Sequence, residues 1–279
     1  MAGIQSLEIA SGKLSFILMK APQFDEKAGV SNPESGAFGS ARTGTPDGLS
    51  ERGFDPMFEQ SSPSRVPPDF SARIAVFPDF LNGPAFREAK EQAERLAKPE
   101  RSYIPAHKKG GTIAYQTVIQ EAPALVDLYQ SGPARTVVSK LAEADVEPTP
   151  LRDQSSLSVL VYDRPGDHIG WHFDHNFYRG RHFTTLLTVV NEGRAPQNLS
   201  HAKLVAMLEG AAVDIETPPN TLVVFEGARV RHRVVPLQEG ERRVVVSMTY
   251  CCDPRNTIWH EAGRRVKDIS FFGLRALWA

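Results

Sequence analysis

The residues best suited to chemistry are two histidines and an aspartate, present as His172-Phe-Asp174 and, further along the chain, His232. His172 and Asp174 are two positions apart, so on an extended strand their side chains point to the same face and can share one ion. His232 follows Thr221-Leu-Val-Val-Phe225, a short apolar run typical of a buried strand. Two imidazoles and one carboxylate on one face form the kind of open site that holds non-haem Fe(II).

A fixed cation follows the second histidine. Arg242 opens Arg242-Arg-Val-Val-Val-Ser-Met-Thr-Tyr250, the strongest β pattern in the chain. A guanidinium beside the metal ligands suits an acidic co-substrate, because it binds a carboxylate through two parallel hydrogen bonds. Arg243 is its local rival. Strand alternation sends the two side chains in opposite directions, and the spacing after His232 favours Arg242 as the one that points inward.

Together these residues resemble the Fe(II)/2-oxoglutarate-dependent dioxygenases, and in spacing the prolyl-4-hydroxylase-like branch. That branch has H-x-D, then a distal histidine followed by V-x-P and G-x-R. Here the corresponding segments are His232-Arg-Val-Val-Pro236 and Gly240-Glu-Arg242. The stretch from Tyr162 to His172 is also similar to the approach to the metal strand in AlkB-type enzymes. The resemblance covers about residues 155 to 250 and concerns the reaction class more than the substrate.

The resemblance implies a mainly β fold with flanking helices. Its core would be a double-stranded β-helix (jelly-roll, cupin-like) braced by N-terminal helices. It also implies Fe(II), 2-oxoglutarate and O2 as cofactors, with His172, Asp174 and His232 as metal ligands. Arg242 would bind the distal carboxylate of 2-oxoglutarate, and Tyr162 would hydrogen-bond the same molecule.

The expected reaction is hydroxylation of a small-molecule metabolite with release of succinate and CO2. Asp174 stands where halogenating relatives have Gly or Ala. The second Arg and the Asn that AlkB-type enzymes carry in their last core strand are absent from Val244 to Tyr250, and the Gly-Gly-x-Leu turn of protein-directed prolyl hydroxylases is absent too. The alternatives are an AlkB-like oxidative demethylase of nucleic acid or protein, and a β-helix domain that binds a ligand without turnover.

Five residues around the metal strand are candidates for contact with the substrate. The two arginines among them either meet an acidic substrate group or lie on a solvated hairpin. His168 would share the face of His172 if the strand is regular, although we expect it to lie outside the metal ligand set. The substrate candidates are Trp171, Asn176, Tyr178, Arg179 and Arg181.

Around these residues the pattern predicts helices first and strands afterwards. Pro84 after Asn82-Gly83 is typical of a first helical turn. From Ser155 onward, short apolar runs separated by turn residues predict a sandwich or barrel. The predicted helices are Pro84 to Lys98, Ala134 to Ala144 and His260 to Trp278; the predicted strands include Arg73–Phe77, Leu157–Val161, Phe183–Val190, Val213–Thr217, Thr221–Phe225 and Arg242–Tyr250.

The chain divides into an N-terminal extension, residues 1–71, and one dioxygenase domain, residues 72–279, with a C-terminal helix. Residues 24–71 are rich in Gly, Pro and Ser, and such a segment buries too little apolar surface to offset its ordering entropy alone. Five phenylalanines are spaced through it. It is therefore either a disordered tail or an irregular arm that packs on the domain.

Composition limits the partners and the compartment. With 41% hydrophobic and 23% charged residues the chain has the composition of a globular protein. Its net charge of −1 provides no global basic field, so nucleic acid is not the expected partner. Cys251 and Cys252 are adjacent and suggest no disulfide framework. With no apolar run of transmembrane length and no secretory signal, we expect a cytoplasmic protein. The oligomeric state stays open.

Overall fold

The computed structural model describes residues 70–255, except 97–98, 105–106, 131, 151–152 and 196, together with two short strands near the N-terminus. The rest of the N-terminal extension and the helix predicted for 260–278 lie outside the described residues. The helices are α1 (Gly83–Arg95), α2 (Tyr115–Glu121), α3 (Pro123–Gln130) and α4 (Pro133–Ala142). The strands are β1 (Glu8–Ile9), β2 (Gly12–Lys13), β3 (Ile74–Phe77), β4 (Glu100–Ile104), β5 (Lys108–Ile113), β6 (Glu147–Pro148), β7 (Leu157–Tyr162), β8 (His168–His172), β9 (Arg179–Glu192), β10 (Leu204–Leu208), β11 (Ala211–Ile215), β12 (Thr221–Phe225), β13 (His232–Val234) and β14 (Arg242–Asp253).

Apart from the β1–β2 pair, the described strands form one 12-stranded sheet that folds over on itself. Its main path runs β11-β10-β13-β8-β5-β7-β14-β9-β12-β3, and all pairs are antiparallel. Strand β5 joins the two halves, because Gly111 lies opposite Val161 of β7 while Lys108 lies opposite Ile169 of β8. A Cβ at Gly111 would come within 2.8 Å of Pro99, so glycine permits the close approach at this corner.

Apolar side chains from both halves meet inside the fold. Val223 and Val245 from one half pack in the same buried cluster as Leu204 and Val234 from the other. A second cluster lies on the outside of the larger half, where the helices cover it. Two packed layers of one curled antiparallel sheet, with helices on one outer face, confirm the predicted mainly β, double-stranded β-helix fold.

Strand β14 shows how alternation separates these two layers. Val244, Val246 and Met248 pack in the outer cluster with the helices, whereas Val245 packs in the inner one. The parity of each residue along β14 therefore decides whether its side chain meets a helix or the interior.

Helix α1 begins as predicted. The side-chain oxygen of Asn82 accepts a hydrogen bond from the backbone N–H of Ala85 at 2.9 Å, and Pro84 occupies the first turn. The chain leaves the helical conformation at Leu96, where ψ is 144°, so the helix ends earlier than the predicted Lys98. None of the helices in the described part of the chain has the length and apolar character needed to cross a membrane.

Candidate metal and co-substrate site

His172, Asp174 and His232 lie together at one end of the barrel. Their ligand atoms are all within 4.8 Å of one another, so a single ion can contact all three. Asp174 Oδ1 is 3.5 Å from His172 Nε2 and 3.7 Å from His232 Nε2. Strands β8 and β13 create this proximity because His172 and His232 are direct cross-strand partners. The structure thus brings together the three residues that the sequence spacing grouped.

Both imidazoles are oriented in the same way. Nδ1 of His172 lies 2.9 Å from the carbonyl oxygen of Gly170, and Nδ1 of His232 lies 2.9 Å from that of Val230. In each ring the Nδ1–H donates to a carbonyl two residues upstream, which leaves the Nε2 lone pair for a metal. The donor set of two Nε2 atoms and one carboxylate fits a divalent ion such as Fe(II).

Two further residues hold the carboxylate of Asp174. Thr184 Oγ1 donates to Asp174 Oδ2 at 2.6 Å, and the Asp174 backbone N–H donates to the carbonyl of Gly227 at 2.9 Å. A Cβ placed on Gly227 would come within 2.1 Å of Asp174 Oδ2. Only glycine therefore leaves room for this carboxylate to face the two imidazoles.

Electrostatics keep the aspartate ionised. Burial raises the pKa of Asp174, but His232, His172 and the Thr184 hydroxyl outweigh burial and hold that pKa well below its usual range. Burial lowers the pKa of His172, yet its hydrogen bond and charge interaction with Asp174 raise it overall. For His232 burial prevails and the pKa is lowered. The site therefore presents an anionic oxygen between two imidazoles at neutral pH.

Strand β8 is irregular beside the metal ligands. His232 of β13 pairs with His172 of β8, and Val234 pairs with Ile169. Two steps along β13 thus correspond to three steps along β8, so β8 contains one extra residue here, a β-bulge. His168 consequently pairs with Lys109, and its Nδ1 lies 2.8 Å from the carbonyl oxygen of Gly166. His168 belongs to no metal-ligand group among the described residues, and its place outside the ligand set stays a prediction. His168 was expected to share the strand face of His172 only if the strand was regular, and the bulge removes that condition.

The two neighbouring arginines of β14 take opposite positions. Arg242 Nη1 lies 2.6 Å from Glu94 Oε1 of α1, on the helix side, and its side chain is 40% exposed. Arg243 is 1% exposed and lies over the ring of Tyr162, its cross-strand partner, at 5.7 Å. The expectation that Arg242 points inward is wrong, because it shares the parity of the helix-facing Val244 and Val246. Arg243 shares the inward parity of Val245.

Arg243 is a buried cation without an acidic partner in the described part of the chain. The hydrogen bond found for its guanidinium is a long one, 3.4 Å from Nη2 to Thr217 Oγ1, and its buried Nε has none. Burial lowers the pKa of Arg243, as expected for a charge removed from water. A buried cation of this kind is costly unless an anion joins it, so the Arg243 guanidinium suits a carboxylate ligand.

A second cation, Lys108, faces the interior from β5. It is 4% exposed, its Nζ donates to Thr112 Oγ1 at 2.8 Å, and its charge acts on His172. Burial lowers the pKa of Lys108 to about 8. A Cβ at Gly110 would lie 3.8 Å from the Tyr162 ring, and Lys108 is two residues from Gly110 along β5.

The chain resembles solved structures to which it is less than 25% identical. The epimerase SnoN from nogalamycin biosynthesis, a non-heme alpha ketoglutarate dependent enzyme, superposes with a TM-score of 0.53 at 13% identity, covering 64% of this chain and 76% of that one. A Trichoplax adhaerens prolyl hydroxylase, solved with a hypoxia inducible factor peptide, gives 0.50 at 16% identity, covering 70% and 87%. The chain has the fold of the Fe(II)/2-oxoglutarate oxygenases.

Sequence comparison adds nothing to this likeness, because no protein-family model and no curated protein matches the chain. Another solved structure, the carbocyclase SnoK from nogalamycin biosynthesis, gives a TM-score of 0.50 at 14% identity, covering 69% of this chain and 86% of that one. Identities this low establish the fold of the oxygenases alone. Any activity must be argued from the residues of the chain itself.

Within this fold the five substrate candidates have different surroundings. Tyr178 is buried and its hydroxyl donates to Asp153 Oδ2 at 3.0 Å. Asn176 closes a turn by donating from its side-chain amide to the Gly180 carbonyl at 3.0 Å.

The other three candidates are Trp171, Arg179 and Arg181. The ring of Trp171 packs against the guanidinium groups of Arg231 and Arg233, at 5.5 and 4.8 Å. Arg179 is exposed, and Arg181 contacts Glu226. Contact of any of the five with a substrate stays a prediction.

Four residues of the candidate site were not selected from sequence: Arg243, Lys108, Thr184 and Gly227. Thr184 lies in an apolar run where threonine is an ordinary strand residue, so its type carries no signal. Lys108 precedes two glycines and suggests a solvated turn. Gly227 directly follows the apolar run Thr221–Phe225, and a glycine at the end of a buried strand is a detectable hint of close approach.

Proposed function

We propose that the chain is an Fe(II)- and 2-oxoglutarate-dependent oxygenase that hydroxylates a small molecule. The observation that carries this proposal is the pairing of two features inside one barrel. One is the cluster of His172, Asp174 and His232, whose ligand atoms lie within 4.8 Å of one another. The other is the buried guanidinium of Arg243, which has no carboxylate partner among the described residues.

His172 Nε2, His232 Nε2 and a carboxylate oxygen of Asp174 would hold the metal. When bound, Fe(II) with 2-oxoglutarate and O2 supplies the oxidation of a C–H bond, and 2-oxoglutarate leaves as succinate and CO2. The chain's part is to keep the three ligands on one side of the ion so that the other side stays open to small molecules. Thr184 holds the other carboxylate oxygen, Oδ2, and Gly227 leaves room for it, so the carboxylate of Asp174 is fixed for this purpose.

The co-substrate pocket follows from the inner face of the barrel. Arg243 would bind the distal carboxylate of 2-oxoglutarate through a charge-assisted pair, in the role that the resemblance first suggested for Arg242. Tyr162 lies beside it and would donate its hydroxyl to the same carboxylate. Lys108, a buried cation on β5 whose charge acts on His172, would add a second positive charge for the dicarboxylate. Two buried cations in one apolar barrel suit a doubly charged acid.

A small molecule is the favoured substrate over a nucleic acid. The net charge of −1 gives no broad basic surface for a phosphate backbone. Among proteins with this fold, SnoN has been solved with Fe3+, alpha ketoglutarate and the small molecule nogalamycin RO.

Metal binding tests the first half of the proposal. Purified protein, stripped with a chelator and reloaded anaerobically, should retain about one Fe(II) per chain. His232→Ala should lose this retention, because two ligands hold a labile divalent ion poorly. The matched control is His168→Ala, which removes a histidine of β8 that bonds Gly166 and lies outside the triad. Normal iron retention by His232→Ala would refute the ligand assignment.

Co-substrate turnover tests the second half. Fe(II)-loaded protein should convert 2-oxoglutarate to succinate, slowly alone and faster with a true substrate. A panel of metabolites is then screened for a product heavier by one oxygen atom. A protein that binds Fe(II) and 2-oxoglutarate but forms no succinate with any compound, or in its absence, would be a binding domain rather than an oxygenase.

A further inference from the structure

A buried carboxylate next to the metal ligands gathers three arginines. Glu226 follows β12 directly and its side chain is 3% exposed. Its Oε1 accepts hydrogen bonds from Arg181 Nε at 3.0 Å and Nη2 at 2.7 Å. Its Oε2 lies 3.2 Å from Arg73 Nη1 and 3.3 Å from Arg229 Nε.

This cluster has more positive charge than Glu226 can neutralise. Three guanidinium groups and one carboxylate leave two positive charges, and within the described residues no other carboxylate forms an ion pair with Arg73, Arg181 or Arg229. Such a local excess is notable in a chain whose net charge is −1. The charge of one carboxylate is balanced by one guanidinium, so two positive charges of the cluster are left to interact with an anion from outside it.

The arginines differ in how far their hydrogen bonds are used. Arg181 donates from Nε and Nη2 to Glu226 and from Nη1 to the carbonyl of Ala142, so it mainly holds the cluster to α4. Arg229 contacts Glu226 through Nε alone, and its side chain is 63% exposed. Its two terminal nitrogens are therefore the part of the cluster that is best placed to receive a ligand.

A cleft of about 510 Å³ lies against these side chains. It adjoins the metal ligands through the backbone, because the Gly227 carbonyl accepts the N–H of Asp174 and Asn176 follows two residues later. On the other side β9 leads from Arg181 to Thr184, which bonds Asp174. The cleft is lined by Asn176, Gly180, Arg181, His182, Glu226, Ala228 and Arg229.

We propose that this cleft binds an anionic group of the primary substrate, a carboxylate or a phosphate, through the terminal nitrogens of Arg229. This rests on the proposed oxygenase function and narrows its substrate to acidic small molecules. A guanidinium binds either oxyanion through two parallel hydrogen bonds, and Arg73 adds charge nearby. The anion would hold the rest of the molecule against the open side of the metal.

Direct binding tests the site without turnover. Inorganic phosphate and acetate are titrated separately, by calorimetry at low ionic strength, into the full chain saturated with 2-oxoglutarate and Mn(II). We expect saturable binding that falls at least tenfold in Arg229→Gln. The control Arg194→Gln removes an exposed arginine beyond the opposite end of β9, and should bind as the wild type does. Wild-type protein that binds neither anion, or Arg229→Gln that binds as the wild type does, would overturn the proposal.

Turnover then distinguishes carboxylate from phosphate and separates the two hypotheses. Free acids are compared with their methyl esters, and phosphate monoesters with the parent alcohols, by succinate formation and by product mass. We expect the anionic member of a pair to be the substrate, and Arg229→Gln to raise its KM at least tenfold with a smaller change in kcat. Equal turnover of neutral and charged members would overturn the anion site while leaving the oxygenase function intact. Failure of the chain to hold Fe(II) would instead refute the oxygenase function.

Discussion

Arg243 and Tyr162 are cross-strand partners on the inner face of the barrel, with the guanidinium carbon 5.7 Å from the centre of the ring. Burial raises the pKa of Tyr162 to about 12, so its hydroxyl stays protonated and able to donate. Arg242, one residue away, is instead paired with Glu94 on the helix side. One strand thus presents a buried cation to the interior and a surface cation to the helical layer.

Replacement of the two arginines separates these roles. Arg243→Gln should weaken 2-oxoglutarate binding by roughly 100-fold or more, on the order of 3 kcal/mol, because a buried carboxylate loses its charge partner. Arg242→Gln should leave that affinity nearly unchanged and cost about 1 kcal/mol of stability at most, since its ion pair is partly exposed. Anaerobic titration of the Fe(II) protein with 2-oxoglutarate measures the first effect. The reverse ranking would show that Arg242 faces the co-substrate.

The choice between these arginines marks the limit of what the sequence could predict. Residue type and spacing were enough to group His172, Asp174 and His232, because a two-residue spacing and a distal histidine constrain a metal site strongly. Which arginine faces inward depends on the parity of β14 relative to the helices. That parity is seen in the packing of the strand, where Val244 and Val246 lie in the cluster with the helices and Val245 lies in the inner cluster, and the apolar run Val244–Val246 does not reveal it.

Elements with a clear apolar pattern were predicted with small errors in their bounds. The strand Thr221–Phe225 is observed as predicted, and the helix predicted for Ala134–Ala144 is observed as α4, which begins one residue earlier and ends two residues earlier. Strand β9 extends well beyond the predicted Phe183–Val190, because β14 pairs with its polar ends as well. Strand β5 was not predicted at all, since Lys108-Lys-Gly-Gly111 has the composition of a turn and becomes a strand only by pairing.

A methyl group at Gly227 should abolish metal binding. Its Cβ would come within 2.1 Å of Oδ2 of Asp174, so Gly227→Ala must displace the whole carboxylate, including the oxygen Oδ1 that faces the two imidazoles. We expect Fe(II) retention to fall below detection while the circular dichroism of the strands is kept. Gly83→Ala is the control, because its Cβ meets nothing closer than Arg87 Nη1 at 3.5 Å. Iron retention at the wild-type level in Gly227→Ala would show that Asp174 is not a required ligand.

The Thr184 hydroxyl should tune metal affinity without being a ligand. Thr184→Val removes the 2.6 Å hydrogen bond to Asp174 Oδ2 and keeps the shape of the side chain. Losing a hydrogen bond to a metal ligand typically costs about 10- to 100-fold in affinity, and we expect a loss in that range by competition with a chelator. Thr185→Val, which removes a bond to the Met248 carbonyl instead, should leave metal affinity unchanged. Equal effects of the two substitutions would point to a general loss of packing.

The buried amine of Lys108 should make stability depend on pH in the alkaline range. Burial lowers its pKa from 10.5 to about 8 in the folded chain. Between these values the unfolded chain binds more protons than the folded one, so this group's contribution to stability rises with pH. Below pH 8 the whole penalty is present, and a shift of this size corresponds to about 3 kcal/mol.

Lys108→Met removes that penalty and the hydrogen bond to Thr112 together. The difference between the unfolding free energies of the variant and the wild type should therefore favour the variant most near pH 7. This difference should fall by about 3 kcal/mol as the pH is raised to about 10.5, because the wild type then loses its penalty. Urea unfolding of both proteins at pH 7 and pH 10 measures the change, and titrations common to both chains cancel in the difference. A difference that stays constant between these pH values would mean that the amine is not desolvated in the folded protein.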